Sequence, residues 1–390
     1  MILCALVLPS LLIITSAVQI ISNPVEPVHD QHDLITYSVF PQKIMPLRYE
    51  HYLSCLYFLK IYNYCAPHEL AGYNTGLRIM AMTLYLISGT ALLWSMTGAA
   101  QLYLYAVLMT LLYTSRFIFL WNSPELFAGA FLMLILCSLV QRMSFAVTAV
   151  FVILFSFAKP ELIFCGVILG VFLAVAQKIS VRRRAVNLCI VIGGHILFLV
   201  PIFLQSGIQE LVPARRSIIT FAQHYSALFA PHQAVPVNET LWPELVKKIF
   251  LPVWGEDKSV WKAITGHARL YYDFIFLSLG RTNLDFCMSN LIFLAPVAVY
   301  CLGITRQRML KITSLLFLLN FIPIALIAFM HIRYAARFYP LLLFMILLGL
   351  PALQQNKRAW RIILAYLSLV ALFQIYQFKA VFLSGYWVPD

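Results

Sequence analysis

Long apolar runs separated by short polar stretches account for most of the chain. The runs cover residues 1–21, 77–97, 101–121, 125–141, 144–158, 161–177, 186–205, 287–304, 310–330, 335–353 and 361–383. Most of them approach the roughly 20 residues that an α-helix needs to cross a hydrocarbon core about 30 Å thick. None shows the sustained alternation of a barrel strand. The pattern predicts an all-α, polytopic transmembrane helical bundle of about 11 spans.

Two long mixed stretches interrupt this pattern and divide the chain. Residues 1–205 form an N-terminal transmembrane region with a long loop at 23–73, residues 206–286 a second loop, and residues 287–390 a C-terminal transmembrane region. Within the first loop, residues 49–64 are aromatic and half apolar, which predicts a helix lying at the membrane interface. The second loop is rich in proline, which predicts a small cap with short helices.

Composition supports a membrane protein. The chain is 62% hydrophobic and 11% charged, with a mean hydropathy of +0.85. A soluble domain carries about 25% charged residues, so a water-soluble body of this length is excluded. The net charge of +13 comes from 28 basic and 15 acidic residues. Because cytoplasmic loops of membrane proteins are enriched in Lys and Arg, this excess indicates membrane topology and not a nucleic-acid partner.

The distribution of charge predicts an orientation. With the N-terminus inside, the inner loops carry 11 Lys and Arg residues and the short outer loops carry 4. Both long loops then lie outside, and every Asp and Glu falls on the outer side. We therefore expect an integral multi-pass protein whose active site lies on the periplasmic, extracytoplasmic or lumenal side.

Residues 23–37, directly after the first apolar run, contain the densest group of acids. Asp30 and Asp33 lie there beside His29 and His32, and Glu26 stands between two prolines. A carboxylate near a membrane surface can act as a general base or can bind a divalent cation such as magnesium or manganese. We place the base at Asp30 and give Asp33 a supporting or metal-linked role, and the reverse order remains open.

Further ionisable residues lie at the predicted mouths of later spans. Such groups at membrane depth usually face a bundle interior or a wet cavity. The alternative is that they anchor single helices at the interface. The residues are Arg116, Glu125, Lys159, Glu161, Arg333 and Arg337. Their number on separate hairpins predicts a polar pocket at the outer boundary of the membrane.

Two arginines in this set have the spacing of a phosphate-binding pair. Arg333 and Arg337 are four residues apart and share one helix face, close to His331. Guanidinium groups bind phosphate or pyrophosphate through paired hydrogen bonds. For Arg337, an ion pair with Glu125 or Glu161 is the alternative. His195 lies within a span, where a satisfied packing role is expected.

Short motifs in three predicted outer segments resemble those of the GT-C superfamily of polytopic glycosyltransferases. This superfamily includes the protein O-mannosyltransferases and the aminoarabinose and other polyprenyl-phosphate-sugar transferases. The motifs are His-Asp-Gln-His-Asp at 29–33 followed by Tyr37, Phe-Ala-Lys-Pro-Glu at 157–161, and His-Ile-Arg-Tyr at 331–334 followed by Pro340. The chain departs from the commonest pattern, which has adjacent Asp and Glu in the first loop and Thr where Ala158 stands.

The resemblance implies an inverting glycosyltransferase with a polyprenyl- or dolichyl-phosphate sugar as donor and a lipid, glycan or protein as acceptor. Together with the charged span mouths, it defines the candidate donor-binding residues. They are Tyr37, Arg116, Glu125, Lys159, Glu161, His331, Arg333, Tyr334 and Arg337. The alternatives are a transporter or flippase of a lipid-linked or anionic solute, and a non-catalytic subunit of a membrane assembly.

Overall fold

A computed structural model describes residues 2–22, 64, 69–97, 101–114, 123–159, 162–176, 180–206, 265–266, 268–288, 291–304, 308–327 and 335–384. The described residues form twelve α-helices and contain no strand. The all-α prediction is therefore confirmed for this part of the chain. The predicted interfacial helix at 49–64 lies, apart from residue 64, outside the described residues.

Seven of the helices belong to the N-terminal region. They are α1 Ile2–Ser22, α2 Leu70–Thr97, α3 Leu102–Thr114, α4 Ser123–Val140, α5 Phe145–Ser156, α6 Leu162–Ala176 and α7 Val181–Ser206. Each predicted apolar run of this region overlaps one of them. The helix α2 begins at Leu70, before the predicted start at residue 77, because Tyr73 and Asn74 extend the helix without extending the apolar run.

Five helices follow in the C-terminal part. They are α8 Ala268–Met288, α9 Leu291–Ile304, α10 Arg308–Ile327, α11 Ala335–Gln355 and α12 Lys357–Ser384. The last four overlap predicted runs. The helix α8 falls almost entirely within the predicted second loop and is 21 residues long, whereas the sequence predicts short helices there.

Four helices are long and apolar enough to cross a membrane: α2, α7 up to Val200, α11 from Ala336 and α12 up to Gln377. This agrees with an integral membrane protein. The other apolar helices are shorter, between 10 and 17 residues in their apolar parts. The total of about 11 spans remains a prediction from the apolar runs.

Small residues bring three helices together near the start of α4. A Cβ atom at Gly129 would lie 2.5 Å from the carbonyl oxygen of Ala336 in α11 and 2.7 Å from Cε2 of Tyr85 in α2. Glycine at this position allows the backbones to approach closely, as small residues do in membrane helix interfaces. The hydroxyl of Tyr85 donates a hydrogen bond to the same carbonyl of Ala336, at 3.3 Å. The contacts place the second turn of α4 and the first turn of α11 beside the middle of α2.

Contacts between helices also give their relative directions. Tyr85 and Gly89 of α2 lie beside Gly129 and Met133 of α4, so α2 and α4 run parallel. The helices α3 and α12 also run parallel. Side-chain hydrogen bonds join Tyr103 to Ser368 at 2.9 Å and Thr114 to Gln374 at 2.7 Å. Parallel pairs of this kind agree with the predicted alternation of successive helices across the bundle.

Exposed basic residues gather at one end of the bundle. Arg142 follows α4, Arg182 and Arg183 begin α7, and Lys357 and Arg358 begin α12. The helices α4 and α11 begin at the opposite end, which holds Glu125 and Arg337. Basic end-loops of this kind face the cytoplasm in most membrane proteins. The exposed basic residues that the sequence analysis assigns to inner loops therefore lie at one end, and the side of the membrane that this end faces stays a prediction.

Accessibility labelling would test the orientation. In a variant without native cysteines, single cysteines at Arg183 and Arg358 should be protected from an impermeant outside reagent, because the basic end is expected to face the cytoplasm. A cysteine at Val235, in the predicted second outer loop, should be labelled. Labelling of all three positions from the same side would contradict the topology.

Candidate functional site

The predicted site residues divide into those that the structure describes and those that it does not. Glu125, Lys159 and Arg337 are described. The others lie outside the described residues, so their positions and roles remain predictions. They are Asp30, Asp33, Tyr37, Arg116, Glu161, His331, Arg333 and Tyr334.

The three described residues meet in one ion-pair cluster, called here the charged cluster. Nζ of Lys159 donates to Oε1 of Glu125, and Nε of Arg337 lies 2.8 Å from Oε2 of the same carboxylate. Glu125 lies in the first turn of α4, Arg337 in the first turn of α11, and Lys159 in the turn after α5. Of the two roles predicted for Arg337, the ion pair with Glu125 is therefore present.

Burial rules out an interfacial-anchor role for these three residues. The exposed fractions are 1% for Glu125, 3% for Lys159 and 0% for Arg337. An anchoring side chain extends its charged group to the membrane surface, whereas these groups point into the protein. A buried ion pair needs good geometry and additional hydrogen bonds to offset desolvation. Here the carboxylate of Glu125 is shared between Lys159 and Arg337.

Local structure explains how each member is held. Glu125 lies at a helix N-terminus, where the helix dipole favours a negative charge. The turn that carries Lys159 is closed by backbone bonds from Phe157 to Ile153, at 3.1 Å, and from Leu162 to Lys159, at 3.0 Å. The start of α11 is fixed by the bond of Tyr85 to Ala336. The cluster thus joins three segments that are distant in sequence.

A second buried network fixes the rotation of α11. Nε2 of Gln374 donates to the hydroxyl of Tyr339 at 2.6 Å, and Oγ1 of Thr114 donates to Oε1 of Gln374 at 2.7 Å. All three side chains are buried. Because Tyr339 is only two residues from Arg337, this network holds the helix that carries one cation of the cluster.

His195 has the satisfied packing role that the sequence predicts. Its Nδ1 donates to the carbonyl oxygen of Val191 at 2.7 Å, and its Nε2 lies 2.8 Å from Oγ of Ser156. The ring also packs against Phe157. Ser156 and Phe157 precede Lys159, so the histidine supports the turn that carries the lysine.

Arg78 is a buried cation that the sequence analysis did not select. It lies in α2 and is 6% exposed. Among the described residues, four Lys, Arg or Glu side chains are buried, namely Arg78 and the three of the charged cluster. An arginine inside an apolar run, here 77–97, is the sequence signal that identifies Arg78.

A metal site is not found in the described part of the chain. No group of three or more His, Cys, Asp or Glu side chains that could hold an ion occurs there. The aspartates predicted to bind a divalent cation, Asp30 and Asp33, are outside the described residues. Magnesium or manganese at these aspartates therefore remains a prediction from the sequence.

Comparison with protein-family models, curated proteins and solved structures gives no match. The likeness to GT-C glycosyltransferases thus rests on the motifs at residues 29–33, 157–161 and 331–334. Lys159 of the second motif is a described residue, and it belongs to the charged cluster. The function that follows is argued from this cluster and from those motifs.

Proposed function

We propose that the protein is a membrane glycosyltransferase that transfers a sugar from a polyprenyl- or dolichyl-phosphate carrier to a lipid, glycan or protein acceptor. The observation that carries this proposal is the charged cluster, in which Lys159 and Arg337 both contact the carboxylate of Glu125 while almost fully buried. A buried ammonium or guanidinium group is stabilised by an anion beside it. A lipid-linked phosphate supplies such an anion at membrane depth.

The chemistry of transfer explains why buried cations are useful. As the bond between the anomeric carbon and the phosphate oxygen breaks, its electron pair passes to the oxygen of the carrier phosphate. The leaving phosphate therefore gains negative charge in the transition state. Fixed cations aimed at developing charge stabilise a transition state more than a ground state. Lys159 and Arg337 are suited to this role, with Arg333 as the additional predicted donor to the phosphate.

The acceptor needs a base. In the proposed reaction, Asp30 takes the proton from an acceptor hydroxyl or amine while the freed electron pair attacks the anomeric carbon. Attack opposite to the departing phosphate inverts the configuration of the sugar. Asp33 supports Asp30 or binds a divalent cation, which when present would contribute positive charge to phosphate binding.

The position of the cluster favours an enzyme over a transporter. Substrate sites of secondary transporters lie near the bilayer midplane, on interrupted helices. Here Glu125 and Arg337 are in the first turns of α4 and α11, at one end of the bundle. Within the described residues, the other buried Lys, Arg or Glu side chains are Lys159 and Arg78. A flippase would need a path for its charged head group to the opposite end.

Donor consumption tests the proposal. Purified protein is incubated with a panel of radiolabelled polyprenyl-phosphate sugars, with and without added magnesium or manganese. We expect loss of at least one donor, and the panel identifies the sugar. Movement of an intact lipid-linked sugar across vesicles without donor loss would instead support the flippase.

Arg333 provides a residue-level prediction. Replacement by Ala should lower donor turnover about 10- to 100-fold, because a charged hydrogen bond to phosphate is lost. Replacement by Lys should retain part of the activity, since Lys keeps the positive charge but cannot form the paired hydrogen bonds of a guanidinium group. Arg358→Ala, at the basic end of the bundle, is the matched control. Wild-type turnover in Arg333→Ala would remove Arg333 from phosphate binding.

A further inference from the structure

Arg78 lies on the same face of α2 as Tyr85, which contacts α4 and α11. The two residues are seven positions apart, which is close to two helical turns and returns the side chain to the same face. Tyr85 lies beside Gly129 of α4 and bonds to Ala336 of α11. The Arg78 side chain therefore projects from the face of α2 that packs on the helices of the charged cluster.

The level of Arg78 along the bundle follows from the parallel packing of α2 and α4. Tyr85 is level with Gly129. At a rise of about 1.5 Å per residue, Arg78 is about 10 Å from that level and Glu125 is about 6 Å from it, both in the same direction. Arg78 is thus about one helical turn beyond Glu125, toward the end of the bundle at which α4 and α11 begin.

The guanidinium of Arg78 is buried, and part of it makes no hydrogen bond. Nε and Nη1 are both inaccessible and have no hydrogen-bond partner among the described residues. The nearby carboxylate of Glu125 already contacts Lys159 and Arg337. Leaving a buried cation without hydrogen bonds is costly, and proteins rarely keep one without a function. An anion with several oxygens would satisfy both nitrogens.

We propose that Arg78 binds a phosphate group one turn beyond the charged cluster. The identification of that group as the carrier phosphate of a lipid-linked sugar rests on the proposed function. The binding of a phosphate oxyanion rests on the burial and charge of Arg78 and on its two nitrogens without a hydrogen-bond partner. Arginine suits this ligand because its planar fork is permanently charged and offers five N–H donors. The proposed site lies at the end of the bundle that also holds Lys159 and Arg337.

Binding measurements on the full chain in detergent test the assignment. The probes are undecaprenyl phosphate, phosphatidic acid and inorganic phosphate. We expect at least one of them to bind the wild type, and Arg78→Gln to weaken that binding about 10- to 100-fold. Arg78→Lys should have an intermediate affinity. The matched control is Arg184→Gln, since Arg184 lies at the basic end and its Nε is also buried without a partner among the described residues.

Stability without ligand separates binding from a purely structural role. If Arg78 is kept for a ligand, Arg78→Gln removes an uncompensated buried charge and should have a melting temperature equal to or above that of the wild type. If Arg78 instead pairs with a protein carboxylate, the neutral variant loses stability while probe affinity stays unchanged. That second result would overturn the assignment, and Arg78→Lys gives the same comparison should the glutamine variant fold poorly.

The three probes also distinguish failure of this inference from failure of the proposed function. Arg78-dependent binding of undecaprenyl phosphate would support both. Arg78-dependent binding of phosphatidic acid or inorganic phosphate alone would support the phosphate site and argue against a polyprenyl carrier. Donor turnover in the wild type with an unchanged KM in Arg78→Gln would overturn the Arg78 assignment and leave the glycosyltransferase proposal standing. Absence of Arg78-dependent binding of every probe would likewise overturn the assignment.

Discussion

Replacement of Glu125 by Gln is expected to lower the free energy of unfolding by about 3–5 kcal/mol, because it leaves two buried cations without their shared carboxylate. Lys159 and Arg337 both contact Glu125, and all three are almost fully buried. Unfolding in mixed detergent micelles measures the change. Glu69→Gln is the matched control, since Glu69 directly precedes α2 and is exposed. Its effect should stay within about 0.5 kcal/mol.

A triple variant separates the structural contribution of the cluster from its proposed catalytic one. The variant carries Glu125→Met, Lys159→Met and Arg337→Met, which replace all three charges with apolar side chains of similar length. Such replacements of buried ion pairs are often neutral or stabilising. We expect the triple variant to recover the stability lost in Glu125→Gln but to consume no donor. Wild-type donor turnover in a stably folded triple variant would show that the cluster serves the fold alone.

Replacement of Asp30 by Asn is expected to slow single-turnover sugar transfer about 10²–10⁴-fold, the usual contribution of a general base. Asn cannot take the proton from the acceptor. Because it keeps the shape of the side chain, donor binding should remain intact. Asp33→Asn should cause a milder loss. Glu26→Gln is the matched control, because Glu26 lies in the same loop between Pro24 and Pro27.

The relative effects of these two variants assign their roles. A larger loss of rate in Asp33→Asn than in Asp30→Asn would exchange the base and its supporting residue. Full activity in both would remove residues 23–37 from the chemistry. Loss of donor binding in either, measured separately, would indicate a role in holding the substrate or a cation.

The fold was largely predictable because hydrophobic runs and helices share one physical cause, the burial of apolar side chains in lipid. The runs 125–141 and 335–353 become Ser123–Val140 and Ala335–Gln355, within two residues at each end. The helix α8 was not predicted as a long helix because charged residues such as Arg269 and Asp273 interrupt its apolar pattern. Hydropathy detects the environment of a helix and not its backbone hydrogen bonds.

The candidate site was predictable only in part. Charge at span mouths identified Glu125, Lys159 and Arg337, and the ion pair of Arg337 with Glu125 was one of two roles left open. Which acid meets which cation depends on the crossing of α4, α5 and α11, which no local pattern encodes. Arg78 was missed because one arginine at the start of an apolar run resembles an interfacial anchor. Its burial is a property of tertiary packing.

Release of the carrier is the measurement that tests the central claim most directly. Wild-type protein and an Asp30→Asn, Asp33→Asn double variant are incubated with the same polyprenyl-phosphate sugars and acceptors, and free polyprenyl phosphate is quantified by mass spectrometry. The account predicts release by the wild type, with one sugar transferred for each carrier freed, and none above background by the double variant. No release from any donor, or equal release by both proteins, would contradict it.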